Sequence, residues 1–121
     1  MTIFYRTRET GANYGFDFVW TGSSYRIDIM SQPSYATRGA GMVATHRLGA
    51  PGRWHICWDS PIPTIDQAKT IACNWAEGTD RYIKSGNSAT AFAGPLIMDY
   101  AEDPQAAATF ARIDAERMGR A

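Results

Sequence analysis

Apolar residues return at three- and four-residue spacing along 63–86, where Ile65, Ala68, Ile71, Ala72, Trp75, Ala76, Thr79, Tyr82 and Ile83 fall on one stripe. That period marks an amphipathic helix centred near Trp75. Thr64 and Gln67 have capping-box spacing at its start, and Gly86 can take the left-handed conformation that stops it. The other face carries Asp66, Lys69, Asn74, Glu77, Asp80, Arg81 and Lys84. It reads as solvated, with Glu77/Arg81 and Asp80/Lys84 in the favourable i,i+4 order.

Upstream of this helix the period changes to two. Residues 2–8 read as a strand with Ile3 and Tyr5 on one side and Phe4 and Arg6 on the other. Residues 14–20 and 25–30 alternate and face each other across Gly22-Ser23, a pair suited to a type II′ turn. That turn pairs Trp20 with Tyr25, Phe18 with Ile27 and Phe16 with Ile29 on the buried face, and Val19 with Arg26 and Asp17 with Asp28 on the other. The opposed carboxylates require a nearby cation. A second hairpin, 43–48 and 53–58 around Gly49-Ala50-Pro51-Gly52, sets Trp54, Ile56 and Trp58 on one face with Val43 and Thr45, and His46 opposite His55. The Trp75 stripe should dock on these aromatic faces, so that Trp54→Ala or Trp75→Ala costs roughly 3–5 kcal/mol. Residues 96–100 read as a short edge strand, and Asp103 as N-cap with Pro104 behind it opens a short C-terminal helix.

The predicted fold is therefore α+β: an antiparallel four- to five-stranded sheet, two hairpins plus an N-terminal strand, with a long helix packed on one face and a short C-terminal helix, in a single domain over 1–121. A chain of 121 residues can build one core without metal or disulfide staples. Twelve basic and twelve acidic residues leave no formal net charge, which removes whole-molecule attraction to nucleic acid or an anionic membrane. Cys57 and Cys73 are the only cysteines; with no secretory signal and no apolar run long enough to span a bilayer, they read as reduced thiols of a cytoplasmic protein.

The outer sheet face collects Arg6, Asp17, Arg26, Asp28, His46, His55 and Cys57 in these registers. Two imidazoles with a carboxylate or thiolate suit a divalent metal, and His55 beside Cys57 makes a thiolate–imidazole pair. The spacing matches no standard zinc motif and nothing supplies an oxyanion hole, so no catalytic residue, metal ligand or cofactor is assigned. Arg38-Gly39-Ala40-Gly41 precedes a strand instead of opening a helix, unlike a phosphate-cradling loop. Six arginines, Arg6, Arg8, Arg26, Arg38, Arg47 and Arg53, interleave with Tyr5, Tyr14, Tyr25 and Tyr35. Such a set would stack single-stranded nucleic acid, yet the same residue types are enriched at protein interfaces.

The preferred reading is a non-enzymatic, cytoplasmic protein-binding module. Its binding residues are Tyr35, Arg38 and Met42 on the long loop 31–42, and Asp99, Tyr100 and Asp103 in an acidic segment. An inhibitor or adaptor of a larger complex, such as a host nuclease or defence machine, is one concrete form, by analogy with small proteins of bacterial genomes and mobile elements. The alternatives are a nucleic-acid-binding module using the Arg/Tyr set and a small metal-dependent or cysteine enzyme at His46, His55 and Cys57.

Overall fold

The computed structural model describes residues 2–100. Five antiparallel strands, β1 (Ile3–Arg6), β2 (Asn13–Trp20), β3 (Tyr25–Ser31), β4 (Arg47–Leu48) and β5 (His55–Ile56), form one sheet in the order β1-β2-β3-β5-β4. The hairpin register is the one its turn dictates: Trp20 faces Tyr25, Phe18 faces Ile27, Phe16 faces Ile29 and Asp17 faces Asp28. Gly22 supplies the positive φ of the turn, where the Thr21 N–H donates to the Ser24 carbonyl at 2.9 Å. The carboxylate pair also has its cation, since Arg26 grips Asp28 through Nε at 2.6 Å and Nη2 at 3.0 Å. Bidentate geometry of this kind is the strongest an arginine offers a carboxylate.

The long helix, α2 (Ile65–Ser85), begins where the Thr64 side chain accepts the Gln67 N–H at 3.2 Å and ends at Gly86, whose φ is 73°. Trp75 meets the sheet edge-on, 5.9 Å from the Tyr14 ring and 6.0 Å from Phe16. Ile3, Tyr5, Ile27, Ile56, Ile71 and Cys73 close the core around that contact. The fold is the expected α+β class, with the long helix on one face of the sheet.

The helix's polar face departs from expectation. Glu77 is fully buried and Asp80 nearly so, and neither pairs with the lysine or arginine four residues on. Glu77 Oε2 accepts the Tyr5 hydroxyl at 2.6 Å and the Arg8 N–H at 2.9 Å. Asp80 accepts the hydroxyls of Tyr14 and Thr10, each at 2.6 Å. Tyr5 and Tyr14 are cross-strand partners in β1 and β2, so the carboxylates sit where two inward phenols converge. Burial, and then the hydrogen bond to its carboxylate, pushes each phenol's pKa well above the ordinary value.

The second hairpin is shorter than expected. Residues 42–45 coil into a one-turn helix, α1 (Met42–Thr45), and His46 stops it with φ 53°. Thr45 returns both its N–H and its hydroxyl to the Gly41 carbonyl, at 3.1 and 2.8 Å, which closes the turn and leaves two residues for β4. Arg47 then faces Ile56, and Leu48, not His46, faces His55. Of the three tryptophan-strand residues expected inside, only Ile56 is buried; Trp54 is half-buried and Trp58 exposed. Residues 96–100 form no strand: Met98–Tyr100 is a 3-10 turn, after a short helix α3 (Ser88–Ala91). The expected C-terminal helix from Asp103 lies outside the described residues.

Candidate binding surface

Arg47 organises the long loop. Its guanidinium lies over two rings, 4.8 Å from the Tyr35 centroid and 4.2 Å from that of Trp54. It also donates to Thr45 Oγ1 at 3.1 Å, Gln32 Oε1 at 3.3 Å and the Ala40 carbonyl at 3.1 Å. A planar cation stacked on aromatics while its fork satisfies neutral acceptors is chemistry that lysine cannot reproduce. Arg38 does the equivalent at the end of α2, donating to the carbonyls of Ile83 and Lys84, both at 3.0 Å. Those carbonyls belong to the last turn of the helix, where intrahelical donors run out and a cation is favoured. The Tyr82 hydroxyl adds a bond to the Gly39 carbonyl at 2.7 Å.

These bonds hold α1 from below. Trp75 Nε1 donates to the Thr45 carbonyl at 3.0 Å and the Ser88 hydroxyl to the Ala44 carbonyl at 2.7 Å. The apex is left to solvent: Val43 is 91% exposed and Met42 47%. Of the loop residues named from sequence, Met42 is therefore on the surface, Tyr35 is buried beside Tyr82, and Arg38 is engaged with the helix end. Val43, the most exposed large apolar residue described, was placed inside by the strand reading of 43–48. A one-turn helix leaves no periodic signal, so the sequence offered no way to find it.

The acidic segment divides similarly. Asp99 is exposed and pairs with Arg8 at 3.3 Å, whereas Tyr100 is buried with the Arg8 guanidinium 5.1 Å from its ring. Asp103 lies outside the described residues. The Arg/Tyr set does not form one surface: Tyr5, Tyr14, Tyr35 and Arg47 are buried, and Arg8, Arg26 and Arg38 are engaged internally.

The two histidines are parted. His55 lies opposite Asp28 and lines an outer groove of about 470 Å³ with Asp17, Arg26, Arg53 and Trp54. His46 stacks on Phe92 at 4.3 Å, and burial lowers its pKa below the usual imidazole value. Cys57 follows His46, its N–H donating to the His46 carbonyl at 2.9 Å. Among the described residues no three His, Cys, Asp or Glu side chains converge to hold a metal ion. No described helix is long and apolar enough to cross a membrane. Comparison with known proteins returns no matching family model, no matching curated protein and no matching solved structure.

Proposed function

We propose that this chain is a protein-binding module whose contact point is the Met42–Val43 apex of α1. The observation that carries the reading is the exposure of two adjacent apolar side chains on a turn whose backbone and neighbours are fixed from inside. Ordering a contact segment is a main cost of association, and here folding has already met it. The fitting partner is a protein with an apolar groove wide enough for a valine and a methionine. An adaptor or inhibitor would work by filling such a groove.

The test is an affinity capture from the cells that make the protein, with nuclease present, using wild type and Val43→Asp, followed by reconstitution with the purified partner. The reading predicts a stoichiometric protein partner whose affinity falls at least about tenfold, or ~1.4 kcal/mol, for Val43→Asp. Equal affinity for both baits overturns it. A partner lost to nuclease would move the function to nucleic acid, and a self-associating chain with no other partner would make the apex a dimer contact.

A further inference from the structure

A cleft of about 110 Å³, open to solvent on one side, lies between β5, α2 and residues 92–97; Ile56, Ile71, Trp75, Phe92 and Leu96 supply its apolar walls, with Asn74 and Arg81 at its polar side. His46 and Cys57 also line it. Its outer wall is held in an unusual way. Asn74 on α2 donates through Nδ2 to the Ile97 carbonyl at 2.9 Å and accepts the Ile97 N–H on Oδ1 at 2.8 Å, so one side chain serves both backbone groups as a neighbouring strand would. The second Nδ2 hydrogen goes to the Thr70 carbonyl at 2.8 Å, which fixes the amide's direction. The segment beyond α3 is thus clasped to the helix at Ile97, where it forms one wall of the cleft.

Enclosed apolar cavities of about 150 Å³ take up benzene, and this cleft, open to solvent at its mouth, is of comparable size. Four rings line this one, those of His46, Trp58, Trp75 and Phe92, and they offer edges and faces to a further ring. We propose that the cleft is a binding site for a single small aromatic ring, walled on one side by residues 92–97, which Asn74 holds in place. The site is separate from the Met42–Val43 apex and does not depend on the protein-binding reading.

Cys57 supplies the reporter, because its exposed thiol borders the cleft while Cys73 is buried. The experiment titrates fluorobenzene into the intact protein, followed by ¹⁹F NMR and by the rate of Cys57 alkylation with iodoacetamide, read by peptide mass. The site predicts a saturable ¹⁹F shift. It also predicts alkylation slowed about threefold at a ligand concentration of about twice the dissociation constant, by mass action. Leu96→Trp should fill the space and abolish both effects, and Asn74→Ala should weaken binding about tenfold by releasing the wall. Ala93→Phe, at an exposed lining position, replaces Leu96→Trp if the latter fails to fold. A shift that does not saturate, or a folded filling variant that binds as wild type does, overturns the proposal.

Discussion

Two of the charged side chains buried in this small protein are accommodated in opposite ways. Glu77 enters on a regular helix and meets donors from one strand and the turn after it: the Tyr5 hydroxyl and the Arg8 N–H. Arg47 enters on a two-residue strand and meets acceptors from a loop, with the rings of Tyr35 and Trp54 against its guanidinium. Neither charge is balanced by an opposite one in these contacts. The carboxylate fixes how α2 sits on β1 and the turn that follows it, a matter of fold. The guanidinium fixes the shape of residues 32–45, which have little regular structure of their own and present the exposed apex. The comparison separates a charge that positions secondary structure from a charge that substitutes for it.

The largest effect should come from Glu77→Ala, which orphans the buried Tyr5 hydroxyl and the part-buried Arg8 N–H; a loss of about 3–5 kcal/mol in urea unfolding is expected. A loss under about 1 kcal/mol would mean the Tyr5–Glu77 contact is incidental. Arg47→Ala should cost about 2–4 kcal/mol, and Arg47→Lys nearly as much because it keeps the charge but loses the plane and the fork. Site-resolved hydrogen exchange sharpens the contrast. Arg47→Lys should deprotect the α1 amides and leave those of β1 unchanged, whereas uniform deprotection would show that the loop and the sheet open together.

The pH response should differ between the regions as well. Burial and the bonds to Glu77 and Asp80 raise the Tyr5 and Tyr14 pKa values, so the fold favours neutral phenols. Their contribution is intact below the unfolded phenol value of about 10 and is lost as pH rises beyond it, since the unfolded chain releases protons that the fold retains. Urea midpoints should fall above pH ~10, and Tyr5→Phe with Tyr14→Phe should flatten that limb. The smallest effect belongs to His46, whose pKa is lowered by burial. The neutral imidazole is favoured, so stability declines as pH falls below about 6.5 and the unfolded chain gains the proton first. His46→Asn should remove that decline.

What the sequence shows of this fold is local in origin. The start and stop of α2 lie in Thr64, Gln67 and Gly86, and the β2–β3 register lies in Gly22 and the alternation beside it. The polar face of α2 was misread because its partners are remote: Tyr5 is 72 positions from Glu77, and no spacing rule joins them. Residues 43–48 alternate like a strand, but the Thr45 hydroxyl's bond to Gly41 and the left-handed His46 convert the first half into a turn. That one error moved Val43 from surface to core and brought His46 opposite His55. The candidate apex was half legible, through Met42, because loop composition points to a surface without saying which side chains the loop spends on itself.

The most direct test of the apex as a contact point is photo-crosslinking with p-benzoylphenylalanine placed at position 43 and, as a control, at exposed Ser23 in the β2–β3 turn. The account predicts one dominant protein adduct from position 43, of a single identified mass, and none of that mass from position 23. Equal adducts from both positions, or an adduct of twice the chain mass alone, would contradict it.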